Sequence, residues 1–366
     1  MERDNYENCD ELRNIQTGIL EMSFNLDNTI LSIGTENGFI LCNIIPFYII
    51  CSHNLEGGIK QVEVSDNQNN LFLLGGGNNP KFPKNMVILW NCPNKKLMSI
   101  VKMSHTIKNI KCNPNHLFII IKNKIFCFDS QNLKEIDSHE TMEDNNKGIF
   151  SMRFINNTSI IAFPGQKKGD IHIYRYDVKK LNIIHAHSTR ISCVSLNNDG
   201  TLLATASDNG TLIRIFKVNN GELYREFRRG KDKAEIFSLS FSNQNEFLCV
   251  TSDRKTVHIF NLLQENENDD EDKPKIVPES KGVLGNLKKI FYRVPSSYVK
   301  LDRSFALYRI NELKSICTFG EGDNLFVVGY DENGKFYHIN FDREKGGETK
   351  DAKVYNILYS KKNEKK

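Results

Sequence analysis

Short apolar segments, separated by turns rich in glycine, asparagine, aspartate and serine, recur about every ten residues through most of this 366-residue chain. Examples near the start are GILEMSF, TILSIGT and GFILCNI, and later examples are TLLATAS, LIRIFKV and TVHIFNL. Grouped in fours, the segments form a unit of roughly 40–45 residues, which is the repeat length of a propeller blade. A single blade cannot bury both faces of its sheet, so the pattern predicts blades that close into a ring.

The spacing predicts an all-β fold, a seven-bladed β-propeller of the WD40-like type, as a single domain over residues 1–366. The last two segments, KFYHINF and KVYNILY, are expected to close the ring beside an N-terminal strand, although the pattern leaves open which terminal strand completes which blade. The tryptophan–aspartate signature of WD40 repeats is nearly missing, since Trp90 in VILWN is the single tryptophan. The predicted blade boundaries lie near residues 56, 104, 146, 190, 234 and 312.

The charge balance and the cysteine spacing exclude several classes of partner. With 49 basic and 45 acidic residues, the formal net charge of +4 is too even for a nucleic-acid-binding protein. The nine cysteines are scattered singly without a CxxC pair, so no metal site is predicted and the thiols are expected to be reduced. The sequence shows neither a secretory signal nor an apolar run of the ~18 residues that a membrane span needs, which predicts a cytoplasmic protein.

Catalytic patterns are also missing from the sequence. There is no pair of carboxylates beside a nucleophile and no metal cluster, so neither an enzyme nor a cofactor is expected. The glycines at 75–77 are followed by NNPKFP, without the Lys-Ser/Thr and helix of a phosphate-binding loop, and are interpreted as a turn. The sequence therefore favours a binding protein.

Two adjacent arginines, Arg228 and Arg229, end the segment ELYREFRR. Because successive side chains of a strand point to opposite faces, the two guanidinium groups are expected to serve different pockets. If this segment is the outer strand of a blade, one arginine faces the preceding blade and the other faces the following blade. Gly230, the next residue, would allow the backbone to turn or an anion to approach closely. The pair therefore predicts two separate anion sites on neighbouring blade edges.

The segments around the arginine pair supply matching donors. In TASDNGTLIRIF, Thr205 and Ser207 share a strand face, and in TSDRKTVHIF, His258 occupies the place of Arg214. His187, in HAHSTRIS, can join the first group. Hydroxyl, imidazole and guanidinium groups together suit a phosphate, and the histidines predict binding that strengthens as the pH falls through about 6.5. The structural alternative is that the Ser-Asp pairs form turns, Arg214 pairs with an acidic residue, and the histidines are satisfied core groups.

This stretch resembles the PROPPIN family, whose animal members are called WIPI proteins. The resemblance rests on FRRG, LATAS..GTLIRIF, EFRRG..KAEIFSLSFS and SD..TVHIF, and weaker matches such as LLGGGNNPKFPKNMVILWN and AFPG extend it over nearly the whole chain. It implies a seven-bladed propeller that binds phosphatidylinositol 3-phosphate and phosphatidylinositol 3,5-bisphosphate at two sites sharing the FRRG motif. By motif position, the first implied site comprises His187, Thr205, Ser207, Gly210, Thr211, Arg214 and Arg228. The second implied site comprises Arg229, Gly230, Ser252, Thr256 and His258, and the sequence departs from the family pattern at Arg254 and Lys255.

The resemblance also implies partners and a location. It implies a non-enzymatic effector, monomeric in solution, that recruits autophagy-machinery proteins, including a membrane-bridging lipid-transfer protein. The expected location is cytoplasmic and peripheral, on autophagosome-precursor, endosomal or vacuolar membranes, or on plastid-associated vesicles if the source is a plastid-bearing parasite. The alternative function is a generic WD40-like interaction scaffold without lipid binding.

A long insertion, residues 263–303, separates TVHIFNL from a delayed fourth strand that is predicted in SFALYRI. Its first half, ENENDDEDKPK, is acidic and is expected to be disordered. In its second half, segment 283–294 carries apolar residues at helical spacing beside lysines and an arginine: Val283, Leu287, Ile290, Phe291 and Val294. Such a basic amphipathic segment suits membrane anchoring, and the family resemblance favours this interpretation over a helix packed on the propeller.

Overall fold

The structure is a computed structural model that describes residues 18–65, 69–263, 303–322, 324–330 and 334–358. Within these ranges the chain forms strands and turns, organised as seven sheets that each contain four antiparallel strands, and one extra short strand joins the edge of one sheet in parallel. The innermost strands of successive sheets lie beside one another, so the sheets form the blades of a seven-bladed propeller. The predicted fold class is confirmed. No helix in the described residues is long and apolar enough to cross a membrane.

The first four blades each use strands in simple sequence order. Blade 1 contains β1 to β4, at Ile19–Phe24, Ile30–Thr35, Gly38–Asn43 and Tyr48–Asn54. Blade 2 contains β5 to β8, at Ile59–Val64, Asn70–Gly75, Met86–Asn91 and Lys96–Lys102. Blade 3 contains β9 to β12, at Asn109–Cys112, His116–Ile120, Lys124–Asp129 and Glu135–Glu140. Blade 4 contains β13 to β16, at Ser151–Ile155, Thr158–Pro164, Asp170–Arg175 and Lys180–His185.

The last three blades contain the arginine pair and the insertion. Blade 5 contains β17 to β20, at Ile191–Leu196, Leu202–Ser207, Leu212–Lys217 and Leu223–Arg228. Blade 6 contains β21 to β24, at Ile236–Phe241, Phe247–Ser252, Thr256–Asn261 and Ala306–Arg309. Blade 7 contains β25 to β27, at Ser315–Phe319, Asn324–Gly329 and Lys335–Asn340, then β29 at Ala352–Asn356. The extra strand β28, Gly347–Glu348, pairs in parallel with β24 of blade 6.

Every predicted blade boundary falls in a gap between two of these sheets. The predicted insertion also lies where expected, because β23 and β24 are separated in sequence by a stretch that includes residues 264–302. The predicted anchoring segment 283–294, with Val283, Leu287, Ile290, Phe291 and Val294, lies outside the described residues.

The ring closes between blades 7 and 1, at an interface that we call the seam. The hydroxyl of Tyr330, which follows β26, accepts a hydrogen bond from the backbone N–H of Met22 on β1 at 2.8 Å. The ring of Phe47 stacks on Phe336 of β27, with the ring centroids 4.3 Å apart. The question that the sequence left open is thus answered, because β1 is the inner strand of blade 1 and β29 is the outer strand of blade 7.

Strand alternation gives each blade two buried faces, and blade 5 shows how this places its polar residues. Leu203 and Phe216, directly opposite each other on β18 and β19, pack in a cluster with residues of blade 4. Ala204 and Ile213 point the other way and pack in a cluster with residues of blade 6. The parity of a residue along a blade-5 strand therefore decides which neighbouring blade it faces.

Candidate functional site

The two arginines end on opposite faces of blade 5, as the sequence predicts. Phe227, the residue before them, belongs to the cluster shared with blade 6, so Arg228 has the parity of the face toward blade 4. Arg229 has the same parity as Phe227 and therefore lies on the face toward blade 6. Because the sheet itself separates the two guanidinium groups, they belong to two sites, which we call the first cleft, between blades 4 and 5, and the second cleft, between blades 5 and 6.

In the first cleft, a buried hydrogen-bond chain joins the end of blade 4 to blade 5. Nε2 of His187 lies 2.9 Å from the hydroxyl oxygen of Thr205, and this hydroxyl lies 3.2 Å from the backbone carbonyl of Arg214. Because a hydroxyl donates one hydrogen, donation to the carbonyl requires His187 to donate from Nε2. Both His187 and Thr205 are buried. The histidine is therefore fixed at the base of the cleft, with Ser207 on the same strand face as Thr205.

Arg214 is held in the first cleft by two acceptors. Its Nη1 donates to the backbone carbonyl of Ala186 at 2.7 Å, and its Nε donates to Oε2 of Glu226 at 2.5 Å. Glu226 stands directly opposite Arg214 on the neighbouring strand β20, so the two side chains share a face. The ion pair matches the structural alternative for Arg214 and supplies a carboxylate that sequence reasoning missed.

Arg228 is the most available cation of the first cleft. Its side chain is exposed at the end of β20 and, among the described residues, makes no hydrogen bond and no ion pair. Its register partner on β19 is Leu212, two residues before Arg214 and on the same face. An anion on this face could therefore reach Arg228 without displacing an existing partner.

The turn between β18 and β19 connects the two clefts. Gly210 has a φ of +61°, and a Cβ built there would lie 1.9 Å from the backbone oxygen of Ala234. The carbonyl of Gly210 accepts a hydrogen bond from Nε of Arg229 at 2.9 Å, and the carbonyl of Thr211 accepts from the Arg229 backbone N–H at 2.9 Å. Gly210 and Thr211, which the resemblance assigns to the first site, therefore hold the arginine of the second cleft by their backbone.

In the second cleft, Arg229 is only 9% exposed and is bound to carbonyl groups. Besides Gly210, its Nη2 donates to the backbone carbonyl of Asp232, so the side chain folds the loop after β20 around itself. Gly230 leaves open space where a side chain would be, which permits close approach of a ligand. Arg229 thus has a structural task beside any role in binding.

Blade 6 supplies the opposite wall of the second cleft. Ser252, Thr256 and His258 have the parity of Val250 and Phe260, which pack toward blade 5. Ser252 is buried, and Nδ1 of His258 lies 3.2 Å from the hydroxyl of Ser304. The structure thus places the predicted residues of the second site on the surfaces that border one cleft.

The departure at Arg254 and Lys255 has a structural explanation. Nε of Arg254 donates to the backbone carbonyl of Lys233 at 3.2 Å, and its Nη2 donates to the same oxygen at 2.5 Å. Arg254 therefore stabilises the loop that follows the arginine pair by hydrogen bonds to its backbone. Lys255 is exposed and occupies a turn position with a φ of +58°.

The imidazole groups of both clefts are neutral at neutral pH. Burial, together with repulsion from the Arg214 guanidinium, lowers the pKa of His187 to about 4. Burial and the charges of Arg229 and Arg309 lower the pKa of His258 to about 4. The predicted titration near about 6.5 is therefore wrong for the free protein, because it assumed solvated imidazoles. A bound anion would raise the pKa of a neighbouring histidine, because it stabilises the imidazolium. The affinity for the anion should therefore increase only when the pH falls below this raised histidine pKa.

We expect the free energy of unfolding to decrease between about pH 7 and about pH 5. In the unfolded chain a histidine titrates near about 6.5, whereas folded His187 titrates near about 4, so the unfolded chain binds protons first. The titration of His187 alone should lower the free energy of unfolding by about 2 kcal/mol at about pH 5 relative to about pH 7. Urea unfolding at both pH values measures it, and His187→Gln should flatten the pH dependence by about this amount. His105→Gln, at an exposed histidine, is the control, and an equal pH dependence in all three proteins would contradict the assignment.

Three further features escaped sequence reasoning. The buried Oδ1 of Asp208, beside the first cleft, has no hydrogen-bond partner among the described residues. Exposed apolar side chains extend along the outer edges of blades 4 and 5, and we call them the apolar rim: Val178, Leu181, Ile183, Leu223 and Tyr224. A thiol–imidazole cluster, Cys51, His53 and Cys92, forms between blades 1 and 2, although the absence of CxxC had predicted no metal site. The apolar rim and the thiol–imidazole cluster combine residues from different strands or blades, and the burial of the Asp208 oxygen depends on the surrounding fold, so no local sequence motif indicates these features.

Comparison with known proteins gives consistent matches over this whole architecture. A family model described as PROPPIN matches residues 19–358. Autophagy-related protein 18 of Dictyostelium discoideum is 30% identical over 355 residues, covering 93% of this chain and 94% of that protein. The structure of Kluyveromyces lactis Hsv2 superposes with a TM-score of 0.72 at 21% identity, covering 93% of this chain and 99% of that chain. A structure titled as a complex of KlAtg21 with the coiled-coil of AgAtg16 has a TM-score of 0.70 at 21% identity, covering 93% of this chain and 99% of that chain.

Proposed function

The chain belongs to the PROPPIN family of autophagy-related β-propellers, and we propose that it is a non-enzymatic effector that binds phosphatidylinositol 3-phosphate and phosphatidylinositol 3,5-bisphosphate. The observation that carries the proposal is the pair of donor-lined clefts on the two faces of blade 5, one beside Arg228 and one beside Arg229. Each cleft would take one headgroup phosphate with its inositol ring.

The first cleft has the composition that a phosphorylated inositol needs. Arg228 offers a guanidinium without a competing partner among the described residues, and the Ser207 hydroxyl is an additional donor. Glu226 neutralises Arg214 and fixes its orientation, so Arg228 supplies the uncompensated positive charge of this cleft. A headgroup phosphate would thus meet a guanidinium and a hydroxyl as donors.

The second cleft offers a different balance of donors. Arg229 is committed to carbonyl groups through Nε and one Nη, and a guanidinium has five N–H donors, so the remaining donors can serve a phosphate. The hydroxyls of Ser252 and Thr256 come from the facing blade. The open space at Gly230 would let a headgroup approach the backbone. This cleft is therefore more rigid than the first, because its arginine is already ordered.

The apolar rim supports docking of the propeller by its edge. Ile183 on β16 and Leu223 on β20 are 59% and 52% exposed, and both lie on outermost strands of the blades that border the first cleft. Apolar side chains beside an anion site suit a surface that meets the headgroup boundary of a bilayer. We propose that segment 283–294, in the insertion of blade 6, adds an amphipathic anchor to this contact.

We also infer partners and location from the family. The solved relative titled as a complex of KlAtg21 with the coiled-coil of AgAtg16 supports an autophagy protein as partner. The proposed partners are autophagy-machinery proteins, including a membrane-bridging lipid-transfer protein. The proposed location is the cytoplasmic face of autophagosome-precursor, endosomal or vacuolar membranes, with plastid-associated vesicles as the alternative in a plastid-bearing parasite.

Calorimetric titration with soluble headgroups tests the proposal. Inositol 1,3-bisphosphate should bind at two sites per chain, whereas inositol 1,4-bisphosphate should bind more weakly. Arg214→Ala in the first cleft and His258→Ala in the second should each lower the stoichiometry toward one, because each change affects a different cleft. On vesicles, loss of one of two linked sites should cost more than half of the avidity. A single site in the native chain would refute the two-cleft arrangement, and no isomer preference would favour the generic scaffold.

A further inference from the structure

The thiol–imidazole cluster lies far in sequence and in blade order from the two clefts. Cys51 and His53 are two residues apart on β4, with register partners Leu41 and Phe39, so both side chains point to one face of blade 1. That face packs against blade 2, where Cys92 directly follows β7. Residues of two blades, about forty positions apart in the chain, therefore meet at one interface.

The distances within the cluster are close to those of a metal site. The sulfur atoms of Cys51 and Cys92 are 3.7 Å apart, and Nε2 of His53 is 3.1 Å from the sulfur of Cys92. All three potential ligand atoms lie within 4.8 Å of one another. Tetrahedral zinc, with Zn–S distances of about 2.3 Å, would place two thiolate sulfurs about 3.8 Å apart. The two sulfurs thus already have the required separation, and a metal ion would need only a small movement of the imidazole.

We propose that Cys51, His53 and Cys92 bind one Zn²⁺ ion at the interface between blades 1 and 2. Two sulfur ligands and one imidazole are a soft to borderline set that suits zinc better than magnesium or calcium. The His53 side chain is packed against Phe39, with ring centroids 5.0 Å apart, so its orientation is fixed before a metal arrives. The ion would join β4 of one blade to the turn after β7 of the next.

The surroundings of the cluster determine the fourth ligand. His53 is 8% exposed, whereas Cys51 and Cys92 are only partly buried, so the sulfur side of the cluster opens toward solvent. The three ligands leave one tetrahedral position, which a water molecule would occupy. This position is also accessible to a side chain of a docked protein, so the site could respond to a partner.

Zinc titration of the full chain tests this inference. Metal-free protein, kept reduced, should bind one Zn²⁺ in competition with a chromophoric chelator, and Zn²⁺ should protect two thiols from Ellman's reagent. Co²⁺ in place of Zn²⁺ should give the intense visible bands of a tetrahedral site and a sulfur-to-metal charge-transfer band. Cys51→Ser combined with Cys92→Ser should weaken Zn²⁺ binding by roughly 100-fold or more. Cys193→Ser, at another partly buried cysteine, is the matched control and should bind as the native chain does.

Three results would overturn the zinc site. The first is that the folded native chain binds no stoichiometric Zn²⁺. The second is that the double variant and the control bind Zn²⁺ with equal affinity. The third is that the thiols of Cys51 and Cys92 in the native protein react with Ellman's reagent only after reduction. The last result would mean that the cysteines form a disulfide. If the double variant does not fold, His53→Gln and the Co²⁺ spectrum of the native chain still decide the question. Headgroup binding is a separate measurement, so failure of the zinc site leaves the proposed function unaffected.

Discussion

Replacing Arg228 and Arg229 together with threonine is expected to abolish selective binding to vesicles that contain 3-phosphorylated phosphoinositides. The change removes the exposed cation of the first cleft and the ordered guanidinium of the second. A hydrogen bond from a charged group contributes about 1.5–3 kcal/mol, so loss of two such contacts should weaken binding by at least about 100-fold. Vesicle flotation across phosphoinositide isomers measures the loss.

The two arginines need separate fold controls because the structure gives them different tasks. Arg229 orders the loop after β20 through the carbonyls of Gly210 and Asp232, so Arg229→Thr should also lower the melting temperature. Arg228→Thr should leave the melting temperature unchanged, because no partner is lost among the described residues. Lys231→Thr with Lys233→Thr removes two exposed charges from the same loop and serves as the charge-matched control. Isomer-selective flotation of a folded Arg228/Arg229 double variant would refute the proposed lipid sites.

Replacing Leu287 and Phe291 with aspartate is expected to reduce membrane partitioning sharply while soluble headgroups still bind. In the proposed binding mode the clefts would contact only the headgroup, whereas the helical spacing in segment 283–294 predicts an apolar face that enters the interface. Full burial of one such side chain contributes roughly 1.5–3 kcal/mol, so even partial burial of two gives about a 100-fold change in partitioning. Vesicle sedimentation and headgroup calorimetry on the same variant measure the two effects.

A control variant distinguishes anchoring from general loss of surface hydrophobicity. Met98→Asp with Ile100→Asp introduces the same charges at two exposed apolar positions of β8, in blade 2. This control should retain native partitioning and native headgroup affinity. If the Leu287/Phe291 variant instead melts at a lower temperature and its folded fraction partitions normally, the segment packs on the propeller and is not an anchor.

The fold was readable from the sequence because a propeller is built from local units. Strand alternation and the polar turns mark each four-stranded sheet, and therefore the boundaries near 56, 190 and 312 needed no long-range information. The opposed directions of Arg228 and Arg229 follow from the same alternation. Both predictions depend only on the path of a single strand.

The remaining properties of the clefts depend on contacts between blades and strands. The pairing of Arg214 with Glu226 requires the register of β19 with β20, which the turn geometry sets. The lowered pKa of His187 requires burial under the neighbouring blade, and the backbone bonds of Arg229 require the fold of the following loop. Sequence patterns identify these residues as chemically suitable for binding an anion. They do not show the neighbouring groups that determine whether each side chain is charged and free to bind.

The seam brings the two ends of the described chain close together in the closed ring. Apart from β28, which pairs with β24 of blade 6, each blade is made of its own strands, and among the described residues the ring closes by side-chain packing and by Tyr330, without a strand exchanged between blades 7 and 1. Ile19 and Ile357, near the two ends of the described chain, both lie against Gly334. A short linker could therefore join these ends, and new ends could be opened in a loop between two other blades without breaking any sheet. We therefore expect a circularly permuted chain to form the same ring, because the ring is closed by packing between blades 7 and 1 and does not depend on where the chain starts.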